Sequence, residues 1–236
     1  MSIPSTKYQQ VMTSIRAKII EGKYPLNSKL PSEPKLQEEY GVSRVTVRLA
    51  VDGLVRDGLV ERVQGKGSFV RKPSRVSRLV RETTVESFSQ VAKESGFVPT
   101  TRVLKVEKVA VDEKLKGNLE TDSKEALHTV RLRYLDDDPI FYESNYYPLP
   151  RFESLPDYDL TGSLYAIFSN HFGIEKLASD NTTLSIKTAD VETASMLNRS
   201  VGFPLFYLVT QIFDENDQVV QYGEHLIASD RYQFKI

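Results

Sequence analysis

The most informative stretch of this 236-residue chain is YGVSRVTVRLAVDGLVRD, residues 40–57. It opens on a short joint that contains Gly41, and it continues with Ser43, whose hydroxyl can cap the free amides of a helix start. After Ser43 the apolar residues recur at steps of three and four, which predicts an amphipathic helix. Arg44 and Arg48 lie one turn apart on that helix and share a face that is turned away from the apolar stripe.

Two more helices are predicted before this one. Residues 8–19 carry apolar side chains at steps of three and four, and Gly22 and Pro25 end that pattern. A short second helix can begin after Ser32 and end at Gly41. The brief connection between the second and third helices is what a helix-turn-helix requires.

A β-hairpin is predicted after the third helix. Residues 59–63 and 68–71 have the character of strands, and Gln64-Gly65-Lys66-Gly67 joins them. Glycines allow the backbone to approach a phosphate closely, and Lys66 supplies positive charge. A nucleotide-binding glycine loop is excluded, because no helix opens after Gly67 and the spacing of a P-loop is missing. Taken alone, the third helix could be an exposed basic helix without a partner, and the hairpin could be an ordinary turn. The order of the elements, however, predicts a winged helix-turn-helix.

Charge is divided unevenly along the chain. Residues 1–72 contain 13 Lys and Arg against 7 Asp and Glu, a net charge of +6. Residues 73–81 add three arginines, and residues 82–236 carry 15 basic against 25 acidic residues, a net charge of −10. Because DNA is a polyanion, this asymmetry predicts a DNA-facing N-terminal module on an acidic body.

Composition excludes several classes of site. The chain has no cysteine, which excludes disulfides, thiolate metal sites and cysteine nucleophiles. Its three histidines lie far apart, without the short spacings of a zinc motif. No apolar run approaches the roughly 18 residues of a membrane span, and the first residues lack the pattern of a signal peptide. We therefore expect a soluble, cytoplasmic protein with no metal, no cofactor and no membrane partner.

The composition changes abruptly at Lys72-Pro73, which predicts a domain over 1–72, a linker over 73–85 and a second domain over 86–236. Acidic turn sequences at 136–138 and 214–217 predict two antiparallel hairpins in the second domain. The expected strands are 101–111, 126–135, 139–147, 179–187, 203–213 and 218–227, and the expected helices are 86–95, 112–119, 162–172 and 188–198. The fold class is therefore α+β, with a winged helix-turn-helix followed by an antiparallel-sheet domain.

Alternation along strand 126–135 places Arg131 and Arg133 on one face, where they form a positive spot in an acidic domain. Such a spot suits the phosphate or carboxylate of a small ligand, and the alternative is a solvent-facing surface paired with local acids. Glu143 on the next strand is a candidate partner of the arginines or acceptor for ligand hydroxyls. Ser163 stands at a helix start, where free amides favour an anion.

Three blocks of the N-terminal region resemble the GntR family of bacterial transcription regulators: residues 30–33, 41–48 and 65–70. In that family the residues matching Arg44 and Arg48 contact operator DNA, and the wing tip enters the minor groove. The resemblance implies a DNA-binding set that comprises Ser32, Glu33, Ser43, Arg44, Thr46, Arg48, Gly65, Lys66 and Gly67. The chain departs from many relatives at Pro34, where they carry a basic residue.

The second domain contains the short motifs Ser87-Phe88-Ser89, Arg131-Leu132-Arg133, Pro139 with Glu143, Ser163-Leu164-Tyr165 and Asp230-Arg231-Tyr232. Together they resemble the effector-binding domain of the HutC branch of that family, which is similar to chorismate lyase in fold. In relatives that sense amino-sugar phosphates, matching residues surround the phosphate, and the residue matching Glu143 meets sugar hydroxyls. The implied effector-binding set comprises Phe88, Ser89, Arg131, Arg133, Glu143, Ser163, Tyr165 and Gln221. Gln221 and Ile227 replace a glutamate and a tyrosine of those relatives, so a different phosphorylated sugar is expected.

These resemblances imply a ligand-responsive transcription regulator, a repressor that binds double-stranded operator DNA as a homodimer and has no catalytic residues. The main alternative is a lyase-like enzyme fused to a DNA-binding module, with Glu143 as acid or base and Arg133 as anion clamp. The sequence lacks a Ser/His/Asp order, a nucleophile elbow and a metal cluster, which disfavours the enzyme. A third possibility is an architectural DNA-binding protein without a ligand.

Overall fold

The computed structural model describes residues 6–71, 76–79 and 87–235. The chain divides into two compact units, Met1–Ser77 with Ala92–Phe97 and Arg78–Val91 with Val98–Ile236. Most of the predicted linker lies outside the described residues, and its described part forms a short strand.

The first unit contains three helices and a hairpin: α1 (Lys7–Ile20), α2 (Glu33–Tyr40), α3 (Arg44–Arg56), β1 (Val60–Val63) and β2 (Gly67–Val70). Gly41 adopts a left-handed φ of 61° between α2 and α3, which a residue without a Cβ accepts at no steric cost. The apolar stripe of α3 packs with α1 and the hairpin in one core, whose buried members include Ile15, Val47, Leu54 and Val70. The predicted helix-turn-helix with a wing is therefore present.

The rest of the chain forms β3 (Val76–Leu79), α4 (Phe88–Glu94), β4 (Pro99–Ala110), α5 (Glu113–Leu119), β5 (Glu125–Leu135), β6 (Asp138–Pro148), α6 (Leu164–Phe172), β7 (Ala178–Thr188), α7 (Val191–Met196), β8 (Pro204–Phe213), β9 (Val219–Ala228) and β10 (Tyr232–Lys235). Six of the strands make one sheet in the order β4-β5-β6-β9-β8-β7. Every neighbouring pair in it is antiparallel, as predicted.

Apolar clusters cover both faces of this sheet. On one face, the aromatic side chains of Tyr147 and Phe168 pack together with Phe152 beneath α6. On the other face, α5 covers one end of the sheet and α7 covers the other. The side of the sheet beneath α6 carries the polar residues of the candidate effector site.

Two strands and one helix start differ from the prediction. The four-residue strands β3 and β10 were not predicted, and they form a separate two-stranded sheet. The helix expected from residue 188 begins at Val191, because the Asp190 side chain accepts a hydrogen bond from the Thr193 amide at 2.8 Å and caps the helix there.

Candidate DNA interface and effector site

The N-terminal turn of α3 presents the predicted basic face. The Ser43 hydroxyl caps the helix by accepting a hydrogen bond from the Thr46 amide at 3.2 Å. Arg44 and Arg48 are exposed, and the Arg44 side chain retains 71% of its accessible surface. Arg44 Nε donates to Glu33 Oε2 at 3.2 Å, so the first residue of α2 directs an arginine at the start of α3. The helix therefore presents two guanidinium groups on its solvent-exposed surface.

The hairpin has the geometry of a narrow wing. Gly65 and Gly67 adopt φ angles of 71° and 113°, and the exposed Lys66 lies between them at the tip. A Cβ at Gly67 would lie 2.6 Å from Cε of Lys29, so the lysine side chain reaches the tip end of the wing. Lys29 also forms an isolated antiparallel bridge with Phe69. Sequence reasoning missed Lys29, although it directly precedes the Leu30-Pro31-Ser32 block.

Arg131 and Arg133 on β5 are buried, with 2% and 3% of their surface exposed. Glu143 on β6 faces both: Oε2 accepts from Arg131 Nη2 at 2.6 Å and Nε at 3.1 Å, and Oε1 accepts from Arg133 Nη1 at 3.3 Å. Arg131 Nη1 also donates to the carbonyl oxygens of Leu160 and Gly162, just before α6. The predicted pairing of these arginines with Glu143 is present. The alternative that they lie on a solvent-facing strand surface is wrong, because the cluster is buried.

Glu143 is ionised in this cluster. Burial alone would raise the pKa of its carboxyl group, but the positive charges of Arg131 and Arg133, together with His225, lower that pKa to about 2. Burial also lowers the pKa of the Arg133 guanidinium, although Glu143 opposes the shift. Two guanidinium groups facing one carboxylate leave this cluster with one excess positive charge.

Residues from α4 complete the surroundings of Arg133. The Phe88 ring lies 4.4 Å from the guanidinium carbon, and the Ser89 hydroxyl accepts from Nη2 at 2.6 Å. Nε of Arg133 is buried and has no hydrogen-bond partner among the described residues. Thr101, the cross-strand neighbour of Arg133 on β4, also has a buried hydroxyl without a partner in that part of the chain. Two unsatisfied polar atoms therefore belong to paired residues of β4 and β5.

Ser163 is the N-cap residue of α6. Its hydroxyl accepts from the Ala166 amide at 3.4 Å and lies 3.1 Å from the Ser87 hydroxyl. Tyr165, in the first turn of α6, is half-buried and close enough to Arg133 to influence the pKa of its guanidinium. The structure thus brings Phe88, Ser89, Arg131, Arg133 and Tyr165 to one region.

A polar row continues along the same face of the sheet. Asn145 Oδ1 accepts from Gln221 Nε2 at 3.0 Å and lies 2.8 Å from Nε2 of His225, and all three residues are buried. Gly223 lies between them on β9: a Cβ there would be 2.5 Å from His225 and 2.6 Å from Asn145. Ile227 follows on β9 and is fully buried. Sequence reasoning identified Gln221 but missed Asn145, Gly223 and His225. Alternation along each strand could have indicated them, because Asn145 is two residues after Glu143, and Gly223 and His225 are two and four residues after Gln221.

Among the described residues, no helix is long and apolar enough to cross a membrane. The same residues contain no group of three or more histidine, aspartate or glutamate side chains that could hold a metal ion.

A winged helix-turn-helix, joined in one chain to a sheet domain with a buried basic cluster, defines the class of DNA-binding regulators that carry a separate effector domain. Residues 7–70 match the family model described as bacterial regulatory proteins, gntR family, and residues 94–233 match the UTRA domain. The chain belongs to the gntR family of bacterial regulatory proteins and carries a UTRA domain at its C-terminal side.

Individual relatives agree with this assignment. The chain is 32% identical to the probable fructoselysine utilization operon transcriptional repressor of Escherichia coli strain K12, over 97% of this chain and 93% of the relative. It is 28% identical to the HTH-type transcriptional repressor NagR of Bacillus subtilis strain 168, over 98% and 94%. The crystal structure of PhnF from Mycobacterium smegmatis matches with a TM-score of 0.68 and 25% identity, over 95% of this chain and 97% of that one.

These findings confirm the predicted family and the predicted α+β fold. The chain is a transcription regulator and not an enzyme, since its family and these named relatives are regulators. The lyase-like alternative therefore has no support. The exact domain boundaries and the individual contact residues stay predictions.

Proposed function

We propose that this chain represses a sugar-utilisation operon in the cytoplasm and that a phosphorylated sugar, bound in the sheet domain, releases it from its operator. The observation that carries the ligand class is the buried Arg131–Arg133–Glu143 cluster with its excess positive charge. Isolated buried positive charge is costly, and the negative charge of a phosphate group would offset it while the phosphate accepts charge-assisted hydrogen bonds. The names of the fructoselysine and NagR relatives support a sugar-derived effector.

The unsatisfied atoms indicate where the phosphate would lie. Arg133 Nε lacks an acceptor in the described part of the chain, and a buried donor without a partner costs about 1–3 kcal/mol. A phosphate oxygen placed beside Arg133 would satisfy that donor, and the Thr101 and Ser89 hydroxyls could donate to the same group. The row of Asn145, Gln221 and His225 would then face the sugar hydroxyls, because it extends along the same sheet face.

The effector proposal is tested by the thermal stability of the full chain with glucose 6-phosphate, glucosamine 6-phosphate, mannose 6-phosphate, the corresponding free sugars and inorganic phosphate. A ligand at 100 times its Kd adds about 2.7 kcal/mol of stability, so at least one sugar phosphate should raise Tm while its free sugar does not. A panel in which no phosphorylated compound raises Tm contradicts the proposed ligand class.

Arg133→Gln should abolish the Tm shift and the release of operator DNA by that sugar phosphate, while DNA binding without ligand persists. Arg199→Gln is the matched control, since it removes another ion-paired arginine of the same domain, bound to Asp138 and Asp230. Release of the operator at the same ligand concentration in parent and Arg133→Gln would overturn the assignment.

The DNA proposal is tested on α3. Arg44→Ala should weaken binding to a duplex from the chain's own promoter region by about 1–3 kcal/mol, because it removes a predicted base-edge contact. Arg102→Ala, at an exposed position on β4, should leave affinity unchanged. Equal affinity of parent and Arg44→Ala in gel-shift titrations at matched salt would refute the proposed contact.

The proposal includes a homodimer, since two recognition helices are needed to read a palindromic operator. The edge strand β7 supports it, because Leu184 and Ile186 expose 42% and 60% of their surface there. Sedimentation at micromolar concentration should give the mass of two chains, and Ile186→Lys should reduce the mass if this edge takes part.

A further inference from the structure

Two large apolar side chains occupy the solvent-exposed face of α3. Val45 exposes 68% of its surface and Leu49 exposes 46%, whereas Val47 and Leu54 on the same helix are completely buried. With about 100° of rotation per residue, Val45 lies on the side of the helix opposite its buried stripe. An apolar residue at the centre of an exposed helix face has no role in the core of its own unit.

The neighbours of Val45 are basic. Arg44 precedes it and Arg48 follows within one turn, and both are exposed. Val45 is the second residue of α3, and the first turn of a recognition helix is the part that reaches base edges in the major groove. Arginines at this position attract the phosphates of a duplex, which a predominantly basic module favours further.

We infer that Val45 reads the 5-methyl group of a thymine in the operator, beside the bases or phosphates that Arg44 and Arg48 contact. A valine side chain has neither donor nor acceptor, and the thymine methyl is the apolar group that B-DNA presents in its major groove. The inference rests on the proposed DNA-binding function and adds one element of its base specificity.

Location distinguishes Val45 from other exposed valines. Val191 exposes 74% of its surface and also lies in the first turn of a helix, α7. It belongs, however, to the acidic domain, and the residues on either side of it are Asp190 and Glu192, which repel a phosphate backbone. Val191→Ala is therefore a matched control for Val45→Ala, because both substitutions remove the methyl groups of an exposed valine.

The test begins with a duplex selected by the full chain from a random library. Each thymine of the selected half-site is replaced in turn by deoxyuridine, which lacks only the 5-methyl group. Burial of one methyl group corresponds to about a fourfold change in affinity. We expect one thymine in each half-site at which deoxyuridine weakens binding of the parent chain three- to tenfold.

Val45→Ala should abolish the difference between thymine and deoxyuridine at that position, whereas Val191→Ala should retain it. Both variants should unfold at the temperature of the parent, because neither side chain belongs to a core. Three results would overturn the inference: a half-site without a required thymine, no deoxyuridine effect, or an equal effect in parent and Val45→Ala. Failure to select any duplex would instead contradict the proposed function itself.

Discussion

Glu143 keeps its negative charge although it is buried, because Arg131 and Arg133 donate hydrogen bonds to its carboxylate. The single carboxylate neutralises the charge of only one of the two guanidinium groups. Arg131 Nη1 donates instead to backbone carbonyl oxygens of the loop before α6. Arg133 therefore remains the incompletely satisfied member. At the scale of single residues, this is the observation behind our proposal that the cluster binds one more anion.

The stability of the protein should fall in acid because of Glu143. Its pKa is lowered from the ordinary value of 4.5 to about 2 in the folded chain. A lowered folded pKa means that the stabilisation is complete above about 4.5 and is lost as the pH falls towards 2, by on the order of 3 kcal/mol. Urea unfolding between pH 6 and pH 2.5 measures this loss.

Glu143→Gln should lower stability at pH 6 and flatten the dependence on pH, whereas Glu175→Gln, at an exposed site, should change neither. Some dependence will remain, because the pKa of Glu224 is also lowered to about 2, with burial opposing the shift and Lys114 and two tyrosines driving it. Parallel stability curves for the parent and Glu143→Gln would show that Glu143 has no such role.

At the scale of elements, the regular periodicities predicted most of the fold. The steps of three and four in α1 and α3, and the cap at Ser43, indicated the helix-turn-helix directly. The four-residue strands β3 and β10 escaped prediction, because so short a segment shows too few alternations to define a strand.

The candidate effector site was predictable only in part. Alternation showed that Arg131 and Arg133 share a face, but the same alternation fits an exposed face and a covered one. Their burial depends on the elements that pack over the sheet, and the contact with Glu143 depends on the register of β5 with β6. Coverage is a tertiary property, and the register of a hairpin depends on the exact length of its turn, which alternation along one strand does not give.

We expect the wing to contribute electrostatic affinity for DNA rather than sequence recognition. Lys66→Ala should weaken binding by about the same factor for all duplex sequences, because a lysine at the tip contacts phosphate or the groove without reading bases. The slope of log affinity against log salt should decrease in magnitude by about one. Lys124→Ala, at an exposed site in the second unit, is the control, and a change confined to one operator sequence would disprove this role.

At the scale of the whole molecule, charge separates the two activities. Residues 1–72 are positive and residues 82–236 are strongly negative, so a duplex is attracted to one part of the chain and repelled by the other. We therefore expect the operator duplex to bind the N-terminal unit and not the acidic sheet domain.

Thermodynamic linkage then requires reciprocity. If the sugar phosphate weakens operator binding by a given factor, saturating operator must weaken binding of the sugar phosphate by the same factor, typically 5- to 150-fold. Titration of the effector with and without operator duplex, and of operator with and without effector, gives both factors. A factor of one in both titrations would show that effector binding and operator binding are not coupled.

Gly223 limits which side chains can stand next to each other on this face of the sheet. Its missing side chain is what lets Asn145 and His225 meet across β6 and β9. Under the proposed function, relatives can differ at 145, 221 and 225, whereas a Cβ at 223 would displace the Asn145 and His225 side chains. We therefore expect glycine at 223 in relatives that keep this pair of side chains, whichever sugar they sense.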